Sequence, residues 1–247
     1  MSEWFAGFIS GGNAVKSYFA AFCGFLAWLI GGCSQSSTAK GLYEQLTKGG
    51  EQVNALETVL KTPDELSTDI LYAGAGVAFK EKRLEDSAFL FYAGQLRARF
   101  DQKCFPPKDT GGNSPFLAYA AVSQSLGSTI NPAVMAEPKA FAKAIGRLKQ
   151  WNPKAPKEYT PGYEFTERLS EKDAREAAQP NRIEFLSRMG DLATLLNDAE
   201  YFAAFRVMQA YNMTRGDKRP TKEENEKATE TMKRMEKDKN LKGFFSK

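Results

Sequence analysis

From Leu42 onward few stretches of the chain alternate with a period of two, and apolar residues fall at helical spacing. That pattern predicts helix after helix and an all-α fold built of helical hairpins. Leu42, Leu46, Val53, Leu56 and Leu60 make the apolar stripe of a first helix, with a break at Gly49-Gly50. Thr62-Pro63-Asp64-Glu65 reads as a helix start: Thr62 as N-cap, proline at the first helical position, Glu65 set for a capping box. The helix it opens runs to about Lys80. After the charged turn Glu81-Lys82-Arg83, a second helix is expected from Glu85 to about Phe100. Ser114-Pro115 starts another, ending near Gly127. Asn131-Pro132 and Glu137-Pro138 mark the next starts, and a helix then continues to Trp151. Pro153, Pro156, Pro161 and Pro180 make 152–180 the least regular stretch. Residues 181–196 and 197–211 form a second hairpin, with Asn197 as N-cap and Glu200 three positions on. Thr221-Lys222-Glu223-Glu224 caps a last, highly charged helix to about Leu241, which Phe244-Phe245 would dock.

The first hairpin carries the most fold information. Ala75, Ala78, Leu84, Ser87, Phe91 and Gly94 alternate small and large residues where two helices would meet, so the backbones can approach closely. Over Pro63–Leu96 this spacing resembles tetratricopeptide-type repeats, with Ser87 and Gly94 in place of the usual alanines and no turn glycine. The resemblance implies a TPR-like hairpin or α-bundle. The stretch from Ser87 to Leu96 is apolar on nearly every side and should be surrounded by other helices, with Phe91 at the seam. Arg97 and Arg99 are read as cations at the negative end of that helix, with a binding role as the other reading.

Ahead of the helices lies the apolar segment Ser17–Cys33, SYFAAFCGFLAWLIGGC, with Lys16 just before it. Sixteen residues, Ser17 to Gly32, span roughly 24 Å as a helix, short of the ~30 Å bilayer core. A basic residue, a short apolar run and small residues before a break are the parts of a secretory signal. Ile30-Gly31-Gly32-Cys33 resembles the lipobox of bacterial lipoproteins, with isoleucine in place of the commoner leucine. The resemblance implies cleavage before Cys33, acylation of that cysteine, and, because serine rather than aspartate follows, transport to the outer membrane facing the periplasm. An uncleaved membrane anchor and a buried helix are the other readings of the same segment. Residues 1–14 contain Glu3 and suit a signal poorly, so a start at Val15 is a further expectation. The division is then 1–32 signal, 33–40 lipidated tether, 41–216 helical domain and 217–247 charged C-terminal helix and tail.

Composition narrows the chemistry. Of the 247 residues, 42% are hydrophobic, enough to fill a core. The net charge of +4 is not gathered into a basic stripe, so nucleic acid is not an expected partner. There is no histidine, which removes His-based triads and the usual zinc ligand sets. Asp86 and Asp101 remain as acids, read here as helix-end caps and solvated charges. No catalytic residue, metal ligand or cofactor is expected. Besides Cys23 in the signal and Cys33, only Cys104 remains, which suits an oxidising compartment if it is buried or pairs with another chain.

The expected function is therefore binding, with a protein as partner and the membrane reached through the lipid on Cys33. Tyr159, Tyr163 and Phe165 crowd a turn at Thr160-Pro161-Gly162, which serves either to pin the loop to the helices or to recognise a partner. Lys143 and Arg147 lie on the basic face of the helix ending at Trp151, a solvated face or a contact for an acidic partner. The lipobox, the hairpin ending FLFYAGQLRAR, the turn TPGYEF and the helix after Asn197 together resemble immunity lipoproteins paired with type VI secretion phospholipase effectors. That resemblance implies neutralisation of a secreted toxin. A scaffold of an outer-membrane or secretion assembly is the alternative, and a carboxylate-based hydrolase ranks behind both.

Overall fold

The computed structural model describes residues 37–48, 50–112 and 114–245. The signal segment, the alternative start at Val15 and Cys33 lie outside the described residues. Helices α1 (Ser37–Lys48) and α2 (Gln52–Lys61) are separated where Gly50 turns through a left-handed φ of 83°, a conformation open to glycine. Then come α3 (Thr68–Lys80), α4 (Leu84–Cys104), α5 (Pro115–Met135), α6 (Pro138–Gln150), α7 (Glu171–Leu196), α8 (Ala199–Met213) and α9 (Lys222–Asp238). Among the described residues there is no strand beyond one isolated bridge between Pro107 and Phe165, and the fold is all-α. None of the described helices is long and apolar enough to cross a membrane.

The hairpin of α3 and α4 is the centre. Ala75, Ala78 and Ser87 are fully buried at its seam, and the Ser87 hydroxyl donates to the Ala75 carbonyl at 2.9 Å. Around α4 pack α3, α5, α6 and α7. That encirclement is why Phe89 to Ala93 are all buried without an amphipathic pattern: a helix with neighbours on every side has no wet face. Phe91, 1% exposed, sits against Tyr72 and Tyr92. The close approaches need small residues. A Cβ at Gly94 would lie 2.6 Å from the Tyr72 ring, and one at Gly127 would lie 3.1 Å from the Phe91 ring.

Several boundaries differ from the sequence reading, each for a physical reason. Thr62 makes no side-chain cap; Pro63–Glu65 form a single 3-10 turn, and the chain extends through Leu66 and Ser67 before α3. The turn stops there because the Asp64 carbonyl is taken by two outside donors, the Arg97 guanidinium and the Lys154 amide. Pro132 and Pro180 do not start or end helices but lie inside α5 and α7. A proline removes one backbone bond from a helix, and packing outweighs that loss here. Ile130, Val134 and Met135 are buried around Pro132, while Arg182, just past Pro180, is anchored to carbonyls of Leu148, Lys149 and Trp151 at the end of α6. Asn197 follows the last residue of α7 as its C-cap, bonded through its side-chain amide to Ala193, and Asp198 caps α8. Helix α9 opens with the expected Thr221–Glu224 capping box. Its tail docks as the pattern suggested: Phe244 stacks on Phe205 at 5.5 Å, and the buried Glu236 carboxylate accepts the amides of Phe244 and Phe245.

Two substitutions test the central hairpin. Phe91→Ala should cost about 3–5 kcal/mol in urea unfolding, as truncation of a large buried aromatic does. Gly94→Ala in an ordinary helix interior gains about 0.5–1 kcal/mol. Here it is expected to lose ~1–3 kcal/mol through overpacking on Tyr72; a stabilised variant would show that the Tyr72 ring can move aside.

Candidate functional site

The 151–170 loop is pinned. Tyr159 and Tyr163 are each 8% exposed, and Phe165 is half-buried. They join Phe100, Cys104, Phe105 and Ala174 in a small second core. The Tyr163 hydroxyl donates to the Phe105 carbonyl, Phe165 meets the Phe105 ring edge-on at 5.2 Å, and backbone bonds tie Lys108 to Glu164 and Thr166 to Pro106. Arg168 closes the loop on itself by donating to the carbonyls of Ala155, Pro156 and Lys157. Of the two roles open to these aromatics, pinning describes where Tyr159 and Tyr163 sit. Cys104 is buried as a free thiol, its Sγ 3.4 Å from the Leu169 carbonyl.

Beneath this loop lies a buried charge. Arg97 is not in a last helical turn, since α4 continues to Cys104, and its side chain is fully buried. Nε lies 3.0 and 3.1 Å from the two Asp101 oxygens and 2.9 Å from the Tyr159 hydroxyl, while Nη1 donates to the carbonyls of Asp64 and Lys154. The guanidinium stacks over the Tyr159 ring at 3.8 Å. Asp101 is thus no solvated cap. Burial pushes its carboxyl up from the usual range, Arg97 and the Tyr159 hydroxyl draw it back down, and buried Asp69 pushes it up further. Neither Asp69 nor Asp101 lines the two cavities described below.

The basic face of α6 is divided. Lys143 is exposed. Arg147 is engaged within the molecule: it bridges Glu85 at 3.2 Å and Asp86 at 2.7 Å, and lies 4.3 Å over the Phe89 ring. Asp86, read as a cap, belongs to this network and also accepts from Arg83.

A cavity of about 340 Å³ opens between α4, α5 and α7. From α4 it takes Tyr92, Gln95, Arg99, Gln102 and Lys103, one helical face at three- and four-residue spacing. Helix α5 adds Asn131 and Met135; α7 adds Asn181, Glu184, Phe185, Arg188 and Met189. Internal bonds fix part of the lining. Tyr92 donates to Asn131 at 2.9 Å, Gln95 donates to Ser123 at 2.9 Å, and the Arg99 guanidinium lies 5.2 Å over Phe185. Burial lowers Arg99 from its usual value, while Tyr72 and Glu184 pull it back up. Arg99 and Ala178 also line a recess of about 60 Å³ shared with Asn152, Arg175, Gln179 and Arg182. There burial, and then the charge of Arg175, lower Arg182. Arg99 and Ala178 line both spaces; the larger, the trough, carries the cations Arg99, Lys103 and Arg188 against one lining carboxylate, Glu184, and the recess carries Arg99, Arg175 and Arg182. Among the described residues no group of His, Cys, Asp or Glu is arranged to hold a metal ion.

Comparison with protein-family models, with curated proteins and with solved structures returned no match. Of the trough residues only Arg99 carried a binding role among its sequence readings. The α4 face was legible in its spacing, and Asn181 to Met189 fell within the helix read at 181–196, but only packing shows that the two faces share a cavity.

The buried pair yields a test. Arg97→Met leaves Asp101 without its counter-charge and should cost about 3–5 kcal/mol in chemical denaturation. Combining it with Asp101→Leu should recover most of that loss. Equal losses in the single and double variants would show that Arg97 acts only through the carbonyls of Asp64 and Lys154.

Proposed function

We propose that this chain is a lipid-anchored envelope protein that works by binding another protein, and that it neutralises a secreted toxin of the phospholipase type at the membrane. The observation that supports this most is the character of the trough. Its lining consists of guanidinium, ammonium and amide groups set between rigid helices, which is the equipment of recognition rather than of bond cleavage. Asp69 and Asp101, two carboxylates close enough to influence each other, are sealed under the 151–170 loop.

The lipobox-like Ile30-Gly31-Gly32-Cys33 supplies the membrane half of the reading. An inhibitor tethered beside the lipid on which its target acts has a raised effective concentration there. Inhibition needs a stable interface, on the order of 1,200–2,000 Å² in total, so the trough would be its core and the surrounding helix surface, with exposed Lys143, its rim.

Two measurements check the two halves. Cys33→Ser should abolish labelling by a palmitate analogue and leave the signal uncleaved; unchanged labelling would refute lipid anchoring at Cys33. Deleting the gene should leave cells sensitive to toxin-bearing siblings, with protection restored by re-expressing the exported chain. Unaltered sensitivity together with a disturbed outer membrane would instead favour a scaffold.

A further inference from the structure

We propose that the trough is the recognition site for an acidic peptide segment of the partner, with a carboxylate seated on Arg99. The inference rests on the protein-binding part of the proposed function and names the chemistry that part requires.

Charge comes first. Three cations, Arg99, Lys103 and Arg188, line a concave space that holds one carboxylate, Glu184, and low-dielectric walls strengthen the field inside such a cleft. The guanidiniums are also held in place. Arg99 lies over the Phe185 ring, and Arg188 donates to the Gly243 carbonyl at 3.3 Å. A ligand therefore meets preset forks and does not have to order flexible side chains.

Size and polarity then decide the class. A space of about 340 Å³ lies at the small end of ligand sites, room for a few side chains rather than for a domain surface. The amides of Gln95, Gln102, Asn131 and Asn181 offer donors and acceptors together. A peptide backbone presents both kinds of partner, whereas a phosphate headgroup presents acceptors only. Phe185, Met135 and Met189 supply an apolar floor for aliphatic side chains between the acidic ones, and methionine adapts to several shapes.

The test uses the full-length chain in detergent micelles and fluorescence anisotropy of a dye-labelled hexapeptide alternating glutamate and leucine. Saturable binding is expected, weakened at least about tenfold for a peptide with glutamine in place of glutamate, since hydrogen bonds to charged groups contribute ~1.5–3 kcal/mol. Arg99→Gln and Lys103→Gln should each produce a loss of the same order, while Lys61→Gln, exposed and lining neither cavity, should leave affinity unchanged. Gln102→Glu, a substitution at the exposed rim, should also weaken binding and serves if an arginine variant fails to fold. Equal affinity for the glutamine peptide would overturn the inference. So would displacement of the peptide by millimolar inorganic phosphate, or preferential binding to phosphatidylglycerol vesicles, either of which would assign the trough to a phosphate-bearing ligand. Absent peptide binding in a chain that still protects cells would overturn the acidic-segment inference and leave the proposed function standing. Peptide binding in a chain whose deletion changes no sensitivity would support the inference and remove the toxin.

Discussion

A single guanidinium, that of Arg97, governs how the irregular part of this chain is placed. A charge taken fully out of water is tolerated only where it is paired and hydrogen-bonded. Arg97 meets that condition with groups from three separate segments: Asp101 on its own helix, the Asp64 carbonyl at the turn before α3, and the Lys154 carbonyl and Tyr159 hydroxyl of the loop before α7. The central helix can bury this residue only if turn and loop both close over it. The same closure explains why Pro63–Glu65 stop after one turn and why Tyr159 faces inward.

From that closure the trough follows in steps. The loop fixes the start of α7, because the Ala155 amide donates to Glu171 and Arg168 holds the loop carbonyls. Helix α7 then runs along α4 and α6, where Arg182 anchors it to the end of α6. Arg99 and Lys103 from α4 and Arg188 from α7 end up around one cavity lined also by amides and by Phe185, Met135 and Met189. The separation of tasks is physical. The 97–101 pair is sealed and holds the frame, whereas Arg99, two residues from Arg97 along the same helix, turns outward into the trough.

Helical character, the central hairpin, the break at Gly50, the capping box of α9 and the burial of Phe91 all followed from local pattern. Apolar spacing, small residues at a seam and cap chemistry act over three or four residues and need no knowledge of the rest of the chain. The misplaced features share one cause. Pro132 and Pro180 sit inside helices because packing against other elements outweighs one lost backbone bond, and the turn after Thr62 goes no further than Glu65, with distant donors on the Asp64 carbonyl. Arg97 and Asp101, taken from sequence for residues at a wet helix end, are among the most buried in the protein.

By itself, then, the sequence determined an all-helical chain with an apolar central hairpin and a charged final helix, since those properties reside in short-range periodicity. It also presented a lipobox-like Cys33 and aromatics at 159–165 that could equally pin a loop or meet a partner. Only the tertiary structure decided between those two uses of Tyr159 and Tyr163, by closing them over a buried charge. It alone brought Arg99 and Lys103 together with Arg188 around one trough, because residues more than eighty positions apart share a site only once α7 is laid against α4.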